Sequence, residues 1–175
     1  MNVACMQVPD AGHYDLKSLR RNPVTSFGIT YTEPLAQQWQ AFVQGPCISC
    51  EAAYGLSETH TMDTCMPIAA IRWGTHGRPV PGNELRIVDP DSGRTVPVGS
   101  AGEFCTKGYS VMQGYWGDEA RTREAIDAEG FMHTGDMATM DEQGYVNIVG
   151  RIKDMVIRGG ENVYPREIEE FLYRH

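Results

Sequence analysis

Four short clusters hold residues that make poor core material and whose types can do chemistry. The first is Tyr54-Gly55-Leu56-Ser57-Glu58-Thr59, directly after a stretch, 47–53, that reads as a buried strand. In a parallel α/β sheet, the loop at the carboxyl end of a strand is where ligands bind, because the topology leaves a crevice there. An aromatic ring, a hydroxyl and a carboxylate arrive together. Tyr54 can stack on a planar ring, Ser57 can donate to a phosphate or oxyanion oxygen, and Glu58 can bind a hard cation such as Mg²⁺. A polar turn with Glu58 in solvent accounts for the same residues. The second cluster is His133-Thr134-Gly135-Asp136. Here Asp136 suits a carboxylate that accepts two hydrogen bonds, as the vicinal hydroxyls of a ribose offer; a turn closed by Asp136 is the plainer alternative. In the third, Gly150-Arg151-Ile152-Lys153-Asp154, Arg151 can pair with a phosphate or ribose oxygen, or with Asp154 in a surface ion pair. In the fourth, Arg158-Gly159-Gly160-Glu161-Asn162, two glycines let a backbone approach a narrow ligand closely, or simply turn a hairpin.

These clusters need a scaffold. Thr32 reads as a helix cap, with Pro34 in the first turn, Leu35, Trp39, Phe42 and Val43 along one face, and a stop at Gly45-Pro46. Flanked by a strand over 24–29 and the buried stretch 47–53, it forms the strand, helix, strand unit of a parallel sheet covered by helices, so the fold class is α/β. A short helical turn is expected over 15–21. After Pro67, glycines and prolines punctuate short runs such as 84–88 and 103–106, which predicts a small antiparallel sheet or barrel. Asp118 caps a helix over 119–126, and 137–140 with 145–149 reads as a hairpin around Asp141-Glu142-Gln143-Gly144. Residues 153–158 read as another strand. A final helix starts at Pro165, with Glu167, Glu169 and Glu170 early and Ile168, Phe171 and Leu172 at helical spacing.

Composition removes several function classes. The chain has 175 residues, 15 Lys+Arg against 23 Asp+Glu, a net charge of −8 and 41% hydrophobic residues. Length and apolar content suffice for a buried core. An acidic balance without a basic run argues against holding a nucleic-acid backbone, while leaving room for a local phosphate site. No stretch approaches 18 apolar residues, and the first twenty residues lack the basic start and apolar centre of a secretory signal, so no transmembrane segment is expected and the cytoplasm is the default location. Five cysteines, an odd number without paired metal-ligand spacing, make a disulfide framework improbable. Cys47 and Cys50 are formally a C-x-x-C, but they fall on an expected strand rather than at a helix start, the wrong context for a redox pair.

Taken in order, the clusters resemble the adenylate-forming superfamily of acyl-CoA synthetases, beetle luciferases and peptide-synthetase adenylation domains. The similarity runs from about Asp15 to the end. It is carried by Tyr54-Gly-Leu-Ser-Glu-Thr59, by Gly102-Glu-Phe-Cys-Thr-Lys-Gly-Tyr109 with Gly114-Tyr115-Trp116, by His133-Thr-Gly-Asp136, and by Gly150-Arg-Ile-Lys-Asp154 running into Ile157-Arg-Gly-Gly-Glu-Asn-Val-Tyr-Pro165. The last stretch, followed by Glu167-Ile168-Glu169, resembles the fatty acyl-CoA synthetase branch more than the peptide-synthetase branch.

The resemblance implies a ligase that uses ATP, CoA and Mg²⁺: a fatty acid carboxylate attacks the α-phosphate of ATP to give an acyl-adenylate and pyrophosphate, and the CoA thiol then displaces AMP. It implies that Tyr54 stacks on the adenine, that Gly55 belongs to the nucleotide site, that Ser57 contacts phosphate and acyl oxygens, that Glu58 holds Mg²⁺, and that Asp136 and Arg151 bind the ribose. Ser57 and Glu58 would be the catalytic residues, Lys153 would fall at the hinge between a large and a small mobile domain, and Gly159 and Gly160 would line the pantetheine path. Ser57 stands where the family usually has threonine, which keeps the hydroxyl. Gly28-Ile29-Thr30-Tyr31-Thr32-Glu33-Pro34 replaces the usual Gly-Ala-rich turn beside the adenine and acyl pocket. Neither a Ser/Thr/Gly-rich phosphate loop nor the late catalytic lysine is present. The expected organisation is therefore the late part of an AMP-binding domain over 15–149, with a β subdomain from about 78, then the hinge and beginning of a C-terminal domain over 150–175, residues 1–14 being unassigned. The alternatives are a non-catalytic nucleotide-binding or interaction module, or an aryl-CoA ligase or peptide-synthetase-type enzyme.

Overall fold

A short parallel sheet with one covering helix opens the molecule, and among the described residues three antiparallel sheets carry the rest. The computed structural model describes residues 2–25, 30–60, 62–159 and 161–172. After α1 (Asn2–Met6), strand β1 (Arg21–Val24) lies parallel to β2 (Ile48–Glu51), joined through α2 (Glu33–Val43). Thr32 stands at the N-cap position of α2 in extended conformation, without a capping bond from its hydroxyl, Pro34 sits in the first turn, and Ala36, Trp39 and Val43 recur at steps of three and four, so they share the face that is buried. Trp39, Val43 and Cys47 form a cluster with Leu16, Leu19 and Phe42 packed against it. The helix ends at Gln44, in the left-handed region at φ 55, whose N–H bonds to the Gln40 carbonyl.

Three sequence expectations shift here. The helical turn over 15–21 is a single turn closed by Leu19 N–H on the Leu16 carbonyl; Asp15 accepts from the Lys17 N–H, a local bond that competes with helix, and β1 then starts at Arg21. The strand expected over 24–29 begins earlier, because the parallel register sets Arg21 against Ile48 and Val24 against Glu51; 26–29, which include the start of the Gly28–Pro34 turn, lie outside the described residues. The buried run 47–53 is cut at Ala52. Its N–H bonds Val24 in the parallel sheet and its carbonyl accepts from Met66, so the chain changes sheets there and resumes as β3 (Ala53–Tyr54).

Strands β3, β4 (Thr64–Cys65) and β5 (Arg78–Pro79) form one antiparallel sheet in that order. The larger sheet, also antiparallel, is β6 (Glu84–Val88), β7 (Gly102–Lys107), β8 (Met132–Met140) and β9 (Val146–Arg151), with α3 (Glu119–Ala125) between β7 and β8. Asp118 caps α3 by accepting from the Arg121 N–H. The core of this sheet is Ile87, Phe104, Ala138, Val146 and Ile148, with Phe104 and Val146 fully buried; deleting a ring such as that of Phe104 from a core costs about 3 to 5 kcal/mol. His76 and Gly77 exchange backbone hydrogen bonds with Val146, which ties the small sheet to the large one.

The strand expected over 153–158 is half turn: Ile152–Asp154 winds into a 3₁₀ turn before β10 (Val156–Arg158), which pairs antiparallel with β11 (Glu161–Val163). Helix α4 (Pro165–Leu172) closes the described chain. All five cysteines are free, and Cys47 and Cys50 are buried, Cys50 on β2, which removes the redox reading. Among the described residues no helix is long and apolar enough to cross a membrane.

Candidate functional site

The loop after β3 is held from beneath. Thr64 accepts from the Tyr54 N–H (3.1 Å) and donates to the His76 carbonyl (2.5 Å). Residues Ser57–Thr59 make one 3₁₀ turn capped by Leu56, and the Thr59 hydroxyl accepts from the Leu56 N–H while donating to Asp63 at 2.5 Å. Asp63 is fully buried and also accepts from Thr106 at 2.9 Å. Burial pushes its carboxyl above the usual range, against the pull of the Thr59 and Thr106 hydroxyls. A buried carboxylate that gathers hydroxyls from a loop and from β7 fixes where Ser57 and Glu58 stand, since both belong to the same turn.

A second loop clamps the first from the other side. The Met112 N–H donates to the Glu58 carbonyl (2.8 Å), the His60 ring N–H to the Ser110 carbonyl (2.7 Å), and the Tyr115 hydroxyl to Glu58 Oε1 (3.0 Å). Desolvation and the Glu58 carboxylate raise the Tyr115 phenol, and the Arg121 guanidinium lies 4.3 Å from its ring. Tyr115 keeps its proton and holds Glu58 by donating it.

The third wall comes from β8 and β9. Their antiparallel register places Arg151 opposite Asp136, with Arg151 Nε 3.1 Å from Asp136 Oδ1. The other oxygen, Oδ2, accepts from the Tyr54 hydroxyl at 2.6 Å. Gly135, at φ +71, adopts the left-handed turn just before Asp136, where a side chain is rarely tolerated. The Thr134 hydroxyl donates to the Phe104 carbonyl and accepts from the Asp136 N–H. Burial, reinforced by the Asp136 charge, pushes the Tyr54 phenol well up, so it remains a donor.

These walls enclose a cleft of ≈ 680 Å³. Gly55, Ser57 and Glu58 line one side, Thr134 and Gly135 another, and Arg151 with Lys153 a third. Tyr54 and Asp136 are packed behind this lining rather than on it; the Tyr54 ring meets Phe104 edge-on, centroids 5.0 Å apart, and Asp136 is 4% exposed. The four sequence clusters are therefore not all in one place. The first three meet, while Gly159 sits exposed in the β10–β11 turn, off the cleft, and Gly160 lies outside the described residues. A carboxylate and an adjacent hydroxyl, Glu58 and Ser57, are hard oxygen donors at the cleft wall, a donor set that fits Mg²⁺. Residue types alone did not mark Asp63, Thr134 or the Tyr115 hydroxyl; Thr134 and Tyr115 stood inside recognisable motifs, but no spacing rule says which side chain supports which.

The model for the family described as "AMP-binding enzyme" matches residues 1–116. The chain is 43% identical over 180 residues to the putative acyl-CoA synthetase YngI of Bacillus subtilis, covering all of this chain and 32% of that protein. It is 38% identical over 180 residues to the mitochondrial medium-chain acyl-CoA ligase ACSF2 of Danio rerio, covering all of this chain and 29% of that one. The fold superposes on the anthranilate CoA ligase AuaEII, solved with anthranoyl-AMP, with a TM-score of 0.82 and 30% identity over 99% of this chain and 32% of that one. The chain spans about a third of the length of these relatives. A motif set in register, a cleft built from it and relatives that align along the whole of this chain agree that it belongs to the AMP-binding enzymes, the adenylate-forming ligase family.

Proposed function

We propose that these residues form the ribose- and metal-binding part of an AMP-forming acyl-CoA ligase that joins an aliphatic carboxylate to CoA. The observation that carries this reading is the cleft on which Ser57, Glu58, Arg151 and Lys153 converge while Asp136 is pinned behind it. The carboxylate oxygen of the acid bonds to the α-phosphorus of ATP as the bond to pyrophosphate breaks. The CoA sulfur, its proton lost to solvent, then attacks the acyl carbon and AMP leaves. Chemistry of this kind depends on positioning and on charge neutralisation.

In this reading Asp136 accepts from the ribose hydroxyls, with Arg151 beside it donating to a ribose or phosphate oxygen. Ser57 donates to the α-phosphate and acyl oxygens, Gly55 borders the nucleotide, and Tyr54, packed behind the lining, supports the site by holding Asp136. Glu58 would hold Mg²⁺, which when bound neutralises phosphate charge. Lys153, in the 3₁₀ turn after β9, marks the hinge of a mobile C-terminal part that starts near residue 150, and Gly159-Gly160 would face the pantetheine arm once that part rotates. The likeness to YngI and ACSF2 supports an aliphatic acid; the TM-score of 0.82 with an anthranilate ligase favours, as the second reading, an aromatic one. Free cysteines and the lack of a membrane-crossing helix among the described residues fit a cytoplasmic setting.

The test uses an enzyme of full family length that carries these 175 residues. Carboxylate-dependent exchange of labelled pyrophosphate into ATP is expected, followed by thioester formation with CoA, faster with aliphatic than with aromatic acids. Exchange without thioester would reduce the reading to adenylation. No exchange with any acid would overturn it.

A further inference from the structure

On the large sheet, outside the lining of the cleft, three different donor types meet. Glu103 and Cys105, two apart on β7, project from the same face, and β8 sets His133 directly across from Cys105. His133 Nδ1 lies 2.8 Å from Glu103 Oε2 and 3.5 Å from Cys105 Sγ, and the three donor atoms all fall within 4.8 Å of one another. We propose that Glu103, Cys105 and His133 form a Zn²⁺ site.

Two of the three ligand spacings already stand near those of a zinc site. With ordinary zinc bond lengths and tetrahedral angles, a sulfur and a nitrogen ligand stand about 3.6 Å apart, and a nitrogen and an oxygen about 3.4 Å. The first distance is already present, and the second requires the Glu103 carboxylate to open by about half an ångström. Thiolate, imidazole and carboxylate together select zinc over Mg²⁺ or Ca²⁺, which take oxygen alone. A thiolate and a carboxylate also cancel the charge of the ion inside a buried site, where an uncompensated charge is costly.

The surroundings supply the supports that zinc ligands use. Glu103 Oε1 accepts from the Gly135 N–H at 3.0 Å, which fixes the carboxylate. The second ring nitrogen, Nε2, faces Asp127 Oδ2 at 3.6 Å, and Asp127 is itself held through Oδ1 by the N–H groups of Glu129 and Phe131, both at 2.8 Å. With Nδ1 on the metal, Nε2 carries the proton and points it at Asp127. Cys105 is 1% and Glu103 8% exposed, whereas the His133 side chain is 32% exposed and opens the site to an entering ion and to a water as fourth ligand. Without metal the Cys105 thiol is pushed up to about 12, by burial first and then by Glu103 and Asp127, so zinc binding exchanges one thiol proton, released to solvent, for the S–Zn bond.

Co²⁺ added to the metal-free 175-residue chain, followed in the ultraviolet and visible, reports both thiolate ligation and tetrahedral geometry. One equivalent is expected to give a sulfur-to-cobalt charge-transfer band that Zn²⁺ abolishes. Cys105→Ser should remove the band, and Glu103→Gln should weaken binding while keeping the side-chain shape. Asp127→Asn should weaken zinc affinity by about 10- to 100-fold. Circular dichroism on each variant confirms folding before titration. Cys5→Ser and Cys65→Ser, at the two exposed thiols, should leave the band in place. The proposal is overturned by absence of a charge-transfer band in the unaltered chain. It is equally overturned by a band that survives Cys105→Ser and disappears in Cys5→Ser or Cys65→Ser.

Discussion

The hydroxyl of Tyr54 donates to Oδ2 of Asp136 across 2.6 Å and 82 positions of sequence. Because Arg151 takes the other oxygen, each oxygen of the carboxylate proposed for the ribose already has a partner inside the protein, and a ribose diol has to use the remaining lone pairs or displace Arg151.

Two charge-assisted bonds to a ribose are worth roughly 1.5 to 3 kcal/mol each, so Asp136→Ala in an enzyme of full family length should weaken ATP use by on the order of 10² to 10⁴. Asp136→Asn should be milder, since the amide oxygen still accepts one bond. Melting temperature and steady-state kinetics measured together check this. If Asp136 serves only to pin Tyr54 and Arg151, melting will fall while the ATP kinetics of the folded enzyme stay normal.

Tyr115→Phe keeps the ring under Arg121 and removes only the hydroxyl that donates to Glu58. A bond of about 0.5 to 1.5 kcal/mol at a partly exposed position corresponds to roughly 2- to 13-fold. The loss should appear in the Mg²⁺ dependence of adenylation, with unchanged melting. An unaltered Mg²⁺ titration would dissociate Tyr115 from the work of Glu58.

Asp63 makes stability depend on pH in the sense opposite to a salt-bridged carboxylate. Its folded-state pKa is raised above the unfolded value of 3.8, so the folded protein holds the proton more tightly. Its contribution is fully present below that value and is lost as pH rises through the raised folded value. Urea unfolding across this window, compared with Asp63→Asn, should show the extra downward slope only with aspartate. Parallel profiles would count against it. Asp63→Ala, which strands the Thr59 and Thr106 hydroxyls, should cost about 2 to 4 kcal/mol.

Gly77 stands at φ +85, and a Cβ there would overlap the carbonyl of Cys65 on the neighbouring strand. Gly77→Ala should therefore cost about 3 kcal/mol or more, and the damage should spread to β9 because the Gly77 carbonyl accepts from the Val146 N–H. A melting temperature within a degree or two of the parent would contradict this packing.

Much of the scaffold was legible because it rests on local patterns. Cap, proline and apolar spacing located α2, Asp118 located α3, and the residues of β6 were read in full. The parallel unit followed from strand, helix and strand in order, and the first three clusters, singled out by residue type before any contact was known, meet at one cleft. What sequence could not supply was decided by pairing between distant segments. The break at Ala52 arises because its N–H and carbonyl bond to different sheets, which no periodicity records. Asp136 faces Arg151 because of β8–β9 register, and Asp63 is a support rather than a turn residue because Thr59 and Thr106, 47 positions apart, both reach it. Local propensity acts through neighbours in the chain and is written there. A side chain's partner, and hence whether it binds, braces or merely turns, depends on which backbone groups remain to be satisfied once strands have paired, and only the folded chain settles that.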